Sequence, residues 1–347
     1  MVLNSYGTPV WYLNNIPGSA QDTSVLPGTH TIAWANTPAF RLYNLDTDTA
    51  TELAPPVKPF DGHELFTDTS GDHWMISYPV RSGFNLSSIG FPKAHKIVDC
   101  AIQELNPQGQ LIWKWIASDH VSPDEANDLA GAKTSHGAVD VYHCNAIDVN
   151  PLNSNQVLVS MRQAGVFLIE KHSEKILWKL GATAAPPMGG EPVLKIVGDP
   201  EGAIQGQHDV RFQPNGDISL YDDHTKLPGA TRGVEYSIDL KDDEATMVWE
   251  YVAPSGDTTE VMGSVRRYDS NTMPYDQVGT GYLGPNETVV DWGSGAPYAG
   301  FTVLDDANDV LMTVAFPKGI VGNRTQKVSL SALDLTELHD SAGLAYP

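Results

Sequence analysis

Three histidines open short β-rich runs in an irregular repeat: His63 in "HELFTD", His143 in "HCNAIDV" and His208 in "HDVRFQ". Arg162 sits one run after His143, in "LVSMRQ". An imidazole can attack as a nucleophile, move a proton near neutral pH or ligate a metal, and the groups facing its two nitrogens decide which. A guanidinium adds a planar fork of donors suited to sulfate, phosphate or carboxylate oxygens. Together they read as an anion site. Convergent histidines are also good metal ligands, the second chemistry open to this set, although the adjacent arginine would repel the cation. A lone strand-opening histidine is more often a turn or capping residue, and an ion pair with a loop carboxylate would equally account for Arg162. The repeated position is what singles the three histidines out.

Other residues near these runs carry weaker signals. Asp209 either orients an imidazole or caps its strand, and Asp223 and His224 end the strand after His208, near the same space or in a turn. Trp292, in "VVDWGSG", offers a ring either to an aromatic substrate or to a neighbouring sheet. His73, His95, His120, His136, His172 and His339 lack the repeated position and read as structural. The motifs of other chemistries are missing: no GxSxG elbow, Walker loop, strand-following GxGxxG or HExxH occurs.

Apolar residues hardly ever keep helical spacing beyond two turns, whereas short β-rich runs bounded by Gly, Pro, Asn and Asp recur throughout. The runs fall into ordered groups of four near residues 63–118, 143–181, 208–252 and 263–317, with another unit in 1–60 and a tail strand near 325–335. In three units the fourth run carries a matching pair: Trp113 and Trp115, Trp178 and Leu180, Trp249 and Tyr251. Radial repetition of four-stranded antiparallel sheets is the propeller solution to exposed edges. The expected fold is therefore all-β, a six-bladed β-propeller in one domain over residues 1–347, with N- and C-terminal strands closing the first blade. First strands line the central channel, so His63, His143 and His208 should converge there. The insertions at 120–142 and 182–206 each precede a histidine-opened unit and read as loops covering the site.

Composition narrows the partners. With 21 basic against 43 acidic residues the formal charge is −22, which opposes binding of nucleic acid. Hydrophobic residues at 41%, with 8 Trp and 13 Tyr, indicate a packed globule. No stretch reaches the roughly 18 to 20 apolar residues of a membrane span. No secretion signal is visible in "MVLNSYGTPVWYL", although the triplets at Asn85, Asn286 and Asn323 fit glycosylation acceptors of a secretory route. Cys100 and Cys144 lack CxxC spacing and are expected as two buried thiols, with one bridge as the alternative.

From about Val10 to Pro317 the chain resembles the arylsulfotransferase family of six-bladed propellers, in particular its fungal and actinobacterial branch. The resemblance rests on "HELFTDTSGD", "YHCNAIDV", "LVSMRQAGVFLIEKHSEKILWKLG", "GQHDVRFQPNGDISLYDD", "RGVEYSIDL" and "GSVRRY…VVDWGSG" in that order. It implies sulfuryl transfer from an aryl sulfate to a phenol without a nucleotide donor, other cofactor or metal. It further implies His208 as the group that accepts the sulfuryl moiety, with His143, His63 and Arg162 around it. Asn145 follows in the His-x-Asn motif, with Ala146 where serine is usual, and Arg266 replaces the usual glutamine. Asn145, Arg266 and Trp292 are the expected substrate-binding residues, the substrates are small aromatic molecules, and the resemblance points to a secreted or periplasmic protein. A hydrolase, lactonase or isomerase using the same imidazoles, and a propeller that only binds, remain open alternatives on the residues themselves.

Overall fold

A computed structural model of the chain describes residues 1–3, 7, 9–11, 21–127, 129, 134–135, 137–183, 185–256, 258–268, 286–294, 299–328 and 333. Five four-stranded antiparallel meanders dominate it. The first runs Gln21–Leu26, Thr31–Asn36, Ala39–Asn44, Thr49–Leu53. The second runs Phe60–Thr67, His73–Ser77, Ala101–Leu105, Leu111–Ile116. The third is Cys144–Val149, Gln156–Met161, Gly165–Glu170, Lys175–Leu180. The fourth is His208–Phe212, Ile218–Asp222, Arg232–Asp239, Glu244–Val252, and the fifth Ser264–Tyr268, Glu287–Asp291, Gly300–Asp305, Val310–Ala315. Helix among the described residues is limited to short 3-10 turns such as Ala117–Asp119. The all-β expectation holds.

Burial follows strand order. The first strand of the third sheet is buried at every residue, whereas the fourth strands of the first and fifth sheets are largely exposed. First strands of consecutive sheets are neighbours, as radial packing requires. A repeated tie joins them: a carboxylate on one first strand accepts a backbone N–H from the next. Asp22 takes Leu65 N at 2.7 Å, Glu64 takes Ile147 N at 3.0 Å and Asp148 takes Phe212 N at 2.7 Å. The two largest apolar clusters each fill the gap between two consecutive sheets. Phe66, Trp74 and Trp115 meet Ile147 and Phe167, while Trp178 and Leu168 meet Val210 and Leu220. The repeated tryptophans also lock outer strands to the next sheet, since Trp113 and Trp115 donate to Lys171 O and Glu174 O, each at 3.1 Å, and Trp249 donates to Asn308 Oδ1 at 2.9 Å.

Two expectations need correction. The sequence expectation that the apolar run "VWYLNN" is the first strand of the 1–60 unit is overturned where the run is described: Pro9–Trp11 pairs with Val2–Leu3, and the polar strand Gln21–Leu26 takes the inner place. Among the described residues the first sheet has four strands, and neither chain end supplies one of them. Leu3 packs on the fifth sheet beside Tyr268 and Phe301, and Val2, Val328 and Leu333 pack on the first beside Ile32 and Trp34. The chain ends therefore fill the gap between fifth and first sheets, and most of the expected tail strand at 325–335 lies outside the described residues.

The cysteines are the second correction. Cys100 and Cys144 form a disulfide with Cα atoms 6.0 Å apart, because the starts of two strands on adjacent sheets face each other. The bridge closes a separation of 44 residues and ties the residue after His143 to the second sheet. Such a loop contributes about 3 to 4 kcal/mol in the chain-entropy account.

The two long insertions dock on one another. Asn127 Nδ2 donates to Ala182 O at 2.6 Å, and Met188 N donates to Glu125 Oε1 at 3.0 Å. Val193–Val197 joins the outer edges of the third and fourth sheets by parallel pairing.

Candidate functional site

The first strands carry a local distortion where side chains must turn toward the axis. Asp22, His143 and Asp209 adopt positive φ (45°, 51° and 52°), and pairing registers shift between Gln21 and Ser24, Phe60 and Leu65, Cys144 and Ala146, and His208 and Arg211. Bulges of this kind redirect a side chain without breaking the sheet. Asp and His tolerate the left-handed region better than most residues.

His63 and His143 meet edge to face, ring centroids 5.1 Å apart, and Tyr78 packs against both at 6.0 and 5.8 Å. The Tyr78 hydroxyl donates to Cys144 O and lies 3.3 Å from His63 Nδ1; burial, then nearby Asp61 and Asp140, hold its phenol well above the usual range. Each of the three repeated histidines turns Nδ1 toward a carboxylate. His63 faces Asp61 at 2.8 Å, His143 faces Asp140 at 2.6 Å and His208 faces Asp223 at 3.1 Å, the last too far off line for a hydrogen bond. Such a partner fixes ring orientation and favours the proton on Nδ1, leaving Nε2 for chemistry.

Their environments then separate them. Burial opposes charge on His63, but the field and hydrogen bond of Asp61 outweigh it and raise its pKa. On His208 burial dominates over Asp223, and the positive charges of Arg162 and His63 add to it, so its pKa is lowered. The two shifts thus run in opposite directions, raised for His63 and lowered for His208. His208 Nε2 accepts a long 3.4 Å hydrogen bond from Met262 N, and the side chain is 5% exposed. Asp223 is itself held by Thr259 Oγ1 at 2.6 Å.

Arg162 reaches across from the third sheet. Its backbone N donates to His143 O at 3.0 Å, and Nη2 donates to Thr225 Oγ1 at 3.2 Å and Glu260 O at 2.6 Å. The other expected site residues are used as struts. Asn145 Nδ2 donates to Gln207 O at 2.8 Å, which ties the His143 strand to the residue before His208. Gln207 Nε2 in turn donates to Met161 O at 2.9 Å. Arg266 grips Asp209 with two hydrogen bonds of 2.8 and 2.7 Å. Trp292 donates to Thr302 Oγ1 at 2.9 Å and packs against Tyr221 and Tyr251. Hydrogen bonding, charge pairing and inter-sheet packing thus engage Asn145, Arg266 and Trp292 within the fold.

Sequence reasoning missed Asp61, Asp140 and Tyr78, and it left Asp223 undecided. The available signal was local, a carboxylate two or three residues before a repeated histidine, but acidic residues are too frequent here for that spacing to stand out. As for metal ligation, the described His, Cys, Asp and Glu side chains whose ligand atoms lie close enough to share an ion are Asp68, Asp72 and Glu104, not the histidines.

No curated protein is similar enough to the chain to match it. Among solved structures it is similar to the β-propeller domain of Cps50 (Swd1) from Myceliophteria thermophila, with 10% identity over 90% of this chain and 92% of that one and a TM-score of 0.45. It is also similar to an auxiliary nutrient binding protein from Bacteroides thetaiotaomicron, with 10% identity over 85% of this chain and 57% of that one and a TM-score of 0.42. The family model of the arylsulfotransferases (ASST) matches residues 80–308, a segment that contains His143, Arg162 and His208, so the chain belongs to the arylsulfotransferase family of transferases.

Proposed function

We propose that this protein, a single propeller domain, moves a sulfuryl group from an aryl sulfate to a phenol through His208. The observation that carries the reading is geometric: His63 and His143 meet ring to ring, and each of the three repeated histidines turns Nδ1 toward a carboxylate, with burial lowering the pKa of His208 and Asp61 raising that of His63 against burial. Arg162, His143 and His63 hold the sulfuryl oxygens, where fixed donors stabilise the charge of the transition state. His208 Nε2 attacks sulfur, the bond from sulfur to the aryl oxygen breaks, and the phenoxide leaves with the proton of His63. Its conjugate acid has a pKa of about 10, so a nearby proton or positive charge speeds departure. Asp223 compensates the positive charge that develops on the sulfated imidazole. In the second half-reaction the acceptor phenol returns a proton to His63 and its oxygen displaces His208 from sulfur. Both halves share one site, so ping-pong kinetics are expected.

The disulfide suits an oxidising compartment and supports a secreted or periplasmic location. Among the described residues no helix is long and apolar enough to cross a membrane. The test is incubation with 4-nitrophenyl sulfate alone, then with a phenol, followed by intact-protein mass spectrometry and product analysis. Sulfated protein in the first step and aryl sulfate of the acceptor in the second are expected. Absence of both, with His208→Asn behaving as wild type, would overturn the reading.

A further inference from the structure

The strongest cluster outside the histidines lies on the axis and is built around a residue from beyond the last sheet. After Val310–Ala315 the chain returns along the first strand of the fifth sheet. Gly322 N donates to Gly293 O at 3.1 Å, Thr325 Oγ1 donates to Asp291 Oδ2 at 2.6 Å, and Lys327 N donates to Tyr268 Oη at 2.8 Å. This path delivers Arg324, 4% exposed, to the first strands of all the other four sheets. Its Nη1 donates to Asp22 Oδ1 and, at 2.7 Å, to Glu64 Oε1; Nε donates to Asp209 Oδ1 at 2.9 Å; Nη2 donates to Asn145 O at 2.9 Å.

Two of these contacts bear directly on the site. Asp209 is the residue after His208 and holds the strained φ of 52° that turns the strand there. Asn145 lies two residues after His143, and its side chain holds Gln207 O, just before His208. One guanidinium therefore grips the backbone bearing His143 and the bend bearing His208 at the same time. Arg211 and Arg266 also bind Asp209, so three arginines face the three carboxylates of Asp22, Glu64 and Asp209. The pair balance leaves the ring neutral, but only Arg324 among the three also reaches Asn145 O in the hydrogen bonds described.

We propose that Arg324 is a positioning residue for group transfer: it sets His208 against His143 by clamping Asp209 and the Asn145 carbonyl together. This rests on the sulfuryl-transfer reading of the histidines. A planar fork is needed for the clamp, because a lysine ammonium is a single point of charge that cannot serve four acceptors spread over four strands. Arg324 lies outside the segment matched by the family model, residues 80–308.

The experiment compares Arg324→Lys and Arg324→Gln with wild type in steady-state transfer from 4-nitrophenyl sulfate to phenol, with circular dichroism melting on the same samples. Arg324→Lys keeps the charge beside Asp22 and Glu64 and is expected to fold. Its kcat should fall by about 100-fold with KM nearly unchanged, the size of loss expected when reacting groups shift by about 1 Å. Asp22→Asn, which removes the charge Arg324 meets on the first sheet while its side-chain oxygen can still accept from Leu65 N, should leave kcat near wild type. A folded Arg324→Lys with wild-type kcat overturns the proposal. So does an Asp22→Asn loss equal to that of Arg324→Lys, or failure of both Arg324 variants to fold, since either outcome makes the residue a structural brace. If wild type itself transfers no sulfate, the functional reading falls separately. Imidazole nitrogen resonances of His208 and His143 then decide the clamp: displacement in Arg324→Lys supports it, and unchanged resonances overturn it.

Discussion

His208 and His224 open and follow the same hairpin, and both are buried with Nδ1 3.1 Å from an aspartate. Their basicities nevertheless move in opposite directions, lowered for His208 and raised for His224. The second nitrogen explains it. His224 Nε2 faces Pro228 O at 2.8 Å, so the ring lies between two acceptors, which favours its charged form; the Asp222 hydrogen bond is the largest cause and outweighs burial. His208 Nε2 faces a donor, Met262 N, and its surroundings add the positive charges of Arg162 and His63 to the effect of burial. An imidazole between two acceptors is a charged pin. One between an acceptor and a donor keeps a lone pair, which is what a nucleophile requires.

The largest expected effect tests that distinction directly. His208→Asn should lower kcat by about 10⁴-fold and abolish protein sulfation, in line with loss of a nucleophile in other group-transfer enzymes. His224→Gln should leave the chemistry in place and cost about 1 to 3 kcal/mol of stability, because Asp222 keeps Arg232 as a partner but loses one hydrogen bond. Steady-state assays and urea melts on both variants measure the pair. Equal losses of kcat would erase the contrast.

A smaller contrast lies in the two carboxylates. Asp223→Asn removes the charge that compensates a sulfated His208, and the first half-reaction should slow by about 100-fold, the scale of one transition-state electrostatic contact. Asp222→Asn should instead act on folding, since Asp222 accepts from Gln205 N and His224 N at 3.0 Å and from Arg232 Nε at 3.2 Å. Rapid-mix measurement of 4-nitrophenol release separates the two. A normal burst in Asp223→Asn would remove Asp223 from the chemistry.

What could be read in the sequence follows from what repeats. The three histidines stood out in the sequence because strand-opening positions recur. The aromatic pairs were legible because they perform the same lock between successive sheets. The inner strand of the first sheet was not, because a strand lining a polar axis reads "QDTSVL" and looks like a loop beside the apolar "VWYLNN". Arg324 was invisible for another reason: its partners Asp22 and Glu64 are 302 and 260 residues away, and no local pattern encodes that. The disulfide was missed likewise, its cysteines being brought together only by the packing of two sheets.

The pH dependence of folding offers the finest test, because the two histidines should contribute with opposite sign. The ordinary histidine pKa is about 6.5. His224 has a raised folded value, so its stabilisation is complete below about 6.5 and is lost as pH rises through the folded pKa. His208 has a lowered folded value, so its contribution is present above about 6.5 and is lost as pH falls through the folded pKa. Thermal melts across this range should therefore show His224→Gln flattening the alkaline decline and His208→Gln flattening the acidic one. If both variants flatten the same limb, the two rings share one protonation state in the fold, and the division between pin and nucleophile is lost.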